Sequence, residues 1–164
     1  MNKLRIHEDS TRTTPIGLAR YAGEFMEAAL AADAKMGKKD GYERVAPIPV
    51  MFLVGQSIEL ALKAFLLARG VTLRQLRTDY GHELHRSLRK AKELGLLEVV
   101  PLESEDINAI ELLDHLYATK QLQYIVTGAN SFPVFGLLQS AALKLVYGIG
   151  TEVGFPPRRL PVAL

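Results

Sequence analysis

The sequence lacks cysteine altogether and lacks an excess of either charge. With no cysteine among its 164 residues, the chain can form no disulfide, no thiolate metal site and no cysteine nucleophile. Its 20 lysine and arginine residues nearly balance its 18 aspartate and glutamate residues. The resulting net charge of +2 is too small to indicate a nucleic-acid partner by itself.

Long hydrophobic runs of the kind that span a bilayer are also missing. The uncharged stretch over residues 45–58 contains two prolines and is shorter than the roughly 20 residues that a membrane helix needs. Residues 132–150 are interrupted by Gln139, Ser140 and Lys144. The first 14 residues are polar and hold no apolar targeting core. We therefore expect a cytoplasmic protein without membrane contact.

The sequence does contain enough apolar residues for one buried core. Apolar residues make up 48% of the chain and charged residues 23%, which is typical of a soluble globular protein. The length fits a single domain. The composition predicts a polar leader over 1–14, one helical domain over 15–150, and an extended tail with prolines and arginines over 151–164.

Helical periodicity dominates the pattern, and we identify no convincing strand. The segment Ile48–Arg69 is apolar on almost every side, so it should form the central helix of the fold. Thr14 and Pro15 form a strong start signal for the helix before it. The fold class predicted is all-α, an up-and-down bundle of four to five helices. The predicted helices span approximately 15–36, 48–69, 82–94, 104–125 and 131–150.

A narrow polar stripe interrupts the central helix and is the first candidate site. Gln56, Glu59 and Lys63 fall within a sector of roughly 60° at 100° per residue. Glu59 and Lys63 have the favourable i, i+4 order of an ion pair on a helix surface. Alternatively, the stripe lines a groove or meets a second chain, with Glu59 bonding a ribose or base edge and Lys63 a phosphate. The spacing is compatible with both interpretations.

The loop after the central helix carries a second candidate, Arg77 followed by four residues and His82. In metal-independent RNA cleavage, a histidine serves as general acid or base and an arginine stabilises charge on the phosphate. The alternative is structural, with His82 opening the third helix and Arg77 exposed in a loop. Both interpretations stay open at this point.

The third predicted helix presents the strongest cluster of positive charge. His85, Arg86 and Arg89 lie on this face, and Tyr80 precedes it in a turn, so these residues are candidate contacts for phosphate or ligand. His82 and His85 could share a metal, but the sequence HELH is one residue short of the HExxH spacing. We therefore predict neither a metal site nor a cofactor.

Two segments together resemble bacterial HEPN-domain proteins. These are GQSIELALKAFLLARG (Gly55 to Gly70) and YGHELHRSLRKAKELGL (Tyr80 to Leu96). The resemblance covers about residues 48–96 and implies a helical up-and-down bundle that commonly forms a homodimer. Catalytic members of that superfamily carry an arginine, four to six residues and then a histidine, as Arg77 and His82 do here. In the family this motif lies near the start of a late helix, whereas here it precedes the third.

The resemblance implies two alternative functions. In the first, the chain binds RNA or a nucleotide and acts as a metal-independent endoribonuclease of a defence or toxin–antitoxin system. Arg77 would then stabilise the phosphate and His82 would act as general acid or base. In the second, the chain is a non-catalytic adaptor or dimerisation module, with a nucleotidyltransferase as its partner.

Overall fold

The computed structural model describes residues 9–124, 126 and 130–160, and within these ranges all regular secondary structure is helical, without a strand. This confirms the predicted all-α class. Five helices have ten or more residues, and two short helices and one π-helical segment connect them. They are α1 (Pro15–Met36), α2 (Ile48–Ala68), α3 (Leu73–Gln75), the π-helix (Leu76–Tyr80), α4 (Leu84–Glu93), α5 (Leu96–Val99), α6 (Ser104–Ala118) and α7 (Phe135–Glu152).

Helix α2 is the core element, and α1, α4, α6 and α7 all pack against it. Most of its apolar side chains between Val50 and Leu66 are buried, and Ser57 is buried too, where its hydroxyl donates to the Ala22 carbonyl of α1 at 2.7 Å. By length and composition alone α2 could cross a membrane. However, 67% of its most apolar window is buried inside the fold, as in the core helix of a soluble protein.

Local signals explain the boundaries of the first two long helices. Thr14 caps α1 by accepting a hydrogen bond from the Gly17 amide, and Pro15 occupies the first helical position. Helix α2 ends just before Gly70, whose φ of +92° suits glycine. Both helices therefore lie where the sequence predicts them.

The later helices differ from the predicted ranges. Helix α6 starts at Ser104, directly after Glu103, which forms a capping box with Asp106. Helix α6 ends at Ala118 because Lys120 adopts a φ of +60° and the Gln121 amide bonds back to the Leu116 carbonyl. The predicted continuation towards Ile125 is therefore wrong.

The remaining differences concern the segments around α5 and α7. Residues 96–101, which lie between two predicted helices, contain the short helix α5. Helix α7 begins at Phe135 instead of near residue 131, since the Phe135 amide pairs with the Arg44 carbonyl across the fold. It continues to Glu152, and the tail packs back on it where the Leu160 amide donates to the Tyr147 hydroxyl. Residues 1–8, 125, 127–129 and 161–164, which include most of the predicted leader, lie outside the described residues.

Candidate functional site

The site is centred on one buried carboxylate, that of Glu59, in the middle of α2. Glu59 is 5% exposed and accepts hydrogen bonds from three side chains. The Lys63 Nζ lies 2.5 Å from Oε1, and the Tyr117 hydroxyl donates to Oε2 at 2.6 Å. The His82 Nδ1 lies 3.1 Å from both oxygens. The polar stripe of the central helix is thus an internal network that joins α2, α6 and the loop before α4.

These partners keep the carboxylate ionised. Burial by itself would raise the pKa of Glu59, because a charged group loses hydration inside a protein. The positive charge of Lys63 and the hydrogen bonds from Lys63, Tyr117 and His82 outweigh that penalty and hold the pKa below its usual value. Glu59 is therefore a negative charge at neutral pH, and its oxygens serve to orient neighbouring side chains.

His82 connects this buried charge to the surface. It follows Gly81, which takes a φ of +51°, and precedes α4, so it is not part of the helix. Its side chain is 65% exposed. Because a carboxylate can only accept, the contact with Glu59 requires the proton on Nδ1 in the neutral ring. The Nε2 lone pair is then directed away from Glu59 and is available as a base.

The π-helix brings Arg77 to the same place. The Gly81 amide bonds to the Leu76 carbonyl five residues earlier, which widens the turn that contains Arg77. Arg77 and His82 both line an open groove of about 430 Å³ between this segment, α2 and the start of α1. Lys63 lies in the same groove. The ionisable lining residues are cationic or histidine, and the others are Thr13, Leu18, Leu60, Leu73, Leu76 and Gly81.

The start of α4 is fixed by a residue from another helix. Glu83 provides no side-chain cap, and instead the Asp114 carboxylate of α6 accepts from the Leu84 amide at 2.7 Å. Partial burial raises the pKa of Asp114. This contact lies two residues after His82 and holds the loop against α6.

The other predicted ligand-binding residues fall in three further places. Gln56 lies behind the groove, where its amide donates to the Tyr117 hydroxyl. Tyr80, Arg86 and Arg89 line a separate, smaller pocket of about 240 Å³. His85 faces Glu111 on α6 with 3.4 Å between Nδ1 and Oε1. The candidate residues therefore do not all meet at one place, and Arg77, His82 and Lys63 are the three that share the groove.

Tyr117 is the member of the network that sequence reasoning did not assign. In the sequence Tyr117 follows the helical spacing of α6, and nothing distinguishes it from the other amphipathic residues of that helix. In the fold it is buried, with its ring against Gly55, where a Cβ would lie 2.5 Å from the ring. Gly55 is the one sequence signal that could have indicated a bulky side chain from another helix packed across α2 at this point.

Within the described ranges, no cluster of three or more histidine, aspartate or glutamate side chains could hold a metal ion. Comparisons with protein-family models, curated proteins and solved structures gave no match for this chain. Any function assigned to the chain therefore rests on the geometry and chemistry of the groove and its network.

Proposed function

We propose that this chain is a cytoplasmic HEPN-like protein that binds RNA in the groove and cleaves it without a metal. The observation that carries the proposal is the convergence of Lys63, Arg77 and His82 on one groove, with the His82 ring held from behind by an ionised carboxylate. Cationic side chains suit the phosphate, and a histidine oriented by a carboxylate suits proton transfer. A defence or toxin–antitoxin role is compatible with this activity.

The chemistry assigns one task to each side chain. The His82 Nε2 takes the proton from a ribose 2′-hydroxyl, and the 2′-oxygen attacks the adjacent phosphorus. The bond to the 5′-oxygen of the next nucleotide breaks, and that oxygen takes a proton from water, whose hydroxide then receives the proton held by His82. The products are a 2′,3′-cyclic phosphate and a 5′-hydroxyl end. Arg77 and Lys63 stabilise the negative charge that builds up on the phosphate oxygens, and Glu59 stabilises the imidazolium.

The test is cleavage of single-stranded RNA in the presence of a chelator. We expect the wild type to cleave and His82→Ala to lose activity by about 10²- to 10⁴-fold, the usual contribution of a general base. His115→Ala is the matched control, because His115 is exposed on α6 and does not line the groove. Equal cleavage by His82→Ala and the control would show that His82 is not the catalyst.

A non-catalytic adaptor is the second candidate, and exposed apolar side chains favour it. Ile48, Tyr124 and Val126 are exposed around a second groove of about 380 Å³ at the start of α2. A homodimer or a nucleotidyltransferase partner could cover them. In that case the wild type leaves RNA intact. Val126→Asp should reduce the mass of the assembly measured by light scattering. The control Lys38→Asp, on the exposed segment after α1, should leave that mass unchanged.

A further inference from the structure

We propose that Tyr117 is a positioning residue for His82: its hydroxyl, held by Gln56, fixes the Glu59 carboxylate, which sets the tautomer of the His82 ring. Only the catalytic consequence of this inference rests on the proposed function. Its structural part concerns a chain of hydrogen bonds that runs from Gln56 through Tyr117 and Glu59 to His82.

The first step is the fixed position of the tyrosine. Its ring packs so closely against α2 that Gly55 is needed beneath it, and Phe52 lies beside it with 6.2 Å between ring centroids. The Gln56 amide donates to its hydroxyl oxygen, which leaves the hydroxyl proton for Glu59. The ring and its hydroxyl therefore have one orientation, set by helices α2 and α6.

The second step is that the Tyr117 hydroxyl keeps its proton and remains a donor. Burial raises the pKa of Tyr117 well above its usual value, and the adjacent negative charge of Glu59 raises it further. The hydroxyl remains protonated throughout the range in which a histidine titrates. Tyr117 is consequently a hydrogen-bond donor that does not switch when His82 gains or loses its proton.

The third step is the effect on the carboxylate. Lys63 holds Oε1 and Tyr117 holds Oε2, so the plane of the carboxylate is fixed from both sides. Both oxygens are then equidistant, at 3.1 Å, from the His82 Nδ1. A carboxylate held this way favours the ring with its proton on Nδ1 and directs Nε2 into the groove. The charged or titratable neighbours of His82 are Glu59 and Lys63 on α2, and Arg77 on the π-helix.

The direct test is the tautomer of His82 in protein labelled with nitrogen-15 at histidine. Long-range proton–nitrogen spectra of the neutral ring distinguish Nδ1–H from Nε2–H, and His82→Gln identifies the signal among the four histidines. We expect the Nδ1–H form to predominate in the wild type. In Tyr117→Phe, which keeps the ring but removes the donor, the Nδ1–H fraction should fall. A fraction that equals or exceeds that of the wild type would overturn the proposal.

Two further variants separate positioning from a general loss of structure. Gln56→Leu releases the tyrosine hydroxyl without touching Glu59, and the Nδ1–H fraction should fall in the same direction. Tyr147→Phe on α7 removes another hydroxyl with a tertiary hydrogen bond, the one that accepts from the Leu160 amide, and should leave the His82 signal unchanged. A change of equal size in Tyr147→Phe would mean that the spectra report global loosening, and the proposal would fail.

The kinetic consequence distinguishes this proposal from the proposed function. If the chain cleaves RNA, Tyr117→Phe should lower kcat by about 10-fold or more while KM stays constant, because the variant affects a group that orients the base and does not touch substrate. A normal kcat in Tyr117→Phe would contradict the positioning role. If no form of the protein cleaves RNA, the proposed function fails, while the tautomer measurement still decides the role of Tyr117.

Discussion

At the scale of single residues, the unusual feature is a charged carboxylate in the most apolar helix of the chain. Burying a lone carboxylate is costly, and proteins accept it where the charge is paired and fully hydrogen-bonded. Glu59 meets that condition through Lys63, His82 and Tyr117. Among the described residues, no buried side-chain nitrogen or oxygen lacks a hydrogen-bond partner. The network therefore sets the geometry of the site and contributes to stability.

We predict that this contribution depends on pH. Because the pKa of Glu59 in the folded protein lies below its ordinary value of 4.5, the charge stabilises the fold above that pH. The stabilisation is lost as the pH falls through the folded pKa. In urea unfolding from neutral pH down to about pH 3, the stability advantage of the wild type over Glu59→Gln should shrink below about pH 4.5.

The control for this series is Glu24→Gln, which changes an exposed glutamate near Arg20. At neutral pH it should stay within about 0.5 kcal/mol of the wild type, as surface substitutions do. A difference between the wild type and Glu59→Gln that stays constant across the pH range would mean that the charge of Glu59 does not stabilise the fold.

At the scale of elements, α4 depends on α6 for its start. The helix is short, strongly charged and without a capping side chain of its own. Asp114 supplies the missing acceptor for the Leu84 amide from across the interface. Since His82 lies two residues earlier, the same contact anchors the end of the loop that carries the histidine.

We predict that Asp114→Ala costs about 1–2 kcal/mol of unfolding free energy, the usual loss when a helix cap is removed. Asp114→Asn keeps an acceptor oxygen and should retain most of the stability, because burial already disfavours the charged form of Asp114. Urea unfolding measures both losses. Equal losses in the two variants would show that the side-chain acceptor does not cap α4.

At the scale of the whole molecule, net charge gives little attraction for RNA. The chain carries +2 overall, so an attraction to phosphate depends on where the positive side chains lie. Lys63 and Arg77 place positive charge in the main groove, whereas the basic side chains of the smaller pocket are partly balanced by Asp79 and Glu93. Binding through the groove alone engages a small number of phosphates.

We therefore predict a weak dependence of RNA binding on salt. The two cationic side chains of the groove, Lys63 and Arg77, would give a slope of about −1.4 for the logarithm of the association constant against the logarithm of salt concentration, at roughly 0.7 per contact with a single strand. Arg77→Ala should reduce the steepness by about 0.7, and Arg20→Ala on α1 should not. Fluorescence anisotropy over a salt series measures this. A slope that Arg77→Ala leaves unchanged would exclude Arg77 as a phosphate contact.

The parts of the fold that could be predicted from the sequence are those set by neighbouring residues. Thr14, Pro15 and Gly70 mark helix ends by their own chemistry, and the apolar run between them identifies the core helix. The end of α6 could not be predicted in this way, because Lys120 adopts a left-handed conformation that its residue type does not favour. The start of α7 depends on the Arg44 carbonyl, which is distant in sequence.

The candidate site shows the same division. The sequence by itself determined which groups are present: a carboxylate and a lysine one turn apart on α2, and an arginine and a histidine in the following loop. Local spacing is enough for that, because i and i+4 share a helix face. The tertiary structure alone decided that Glu59 meets His82 across 23 residues and Tyr117 across 58. Such contacts depend on how α2, α4 and α6 pack, and helix packing follows from the shape of whole surfaces rather than from any short motif.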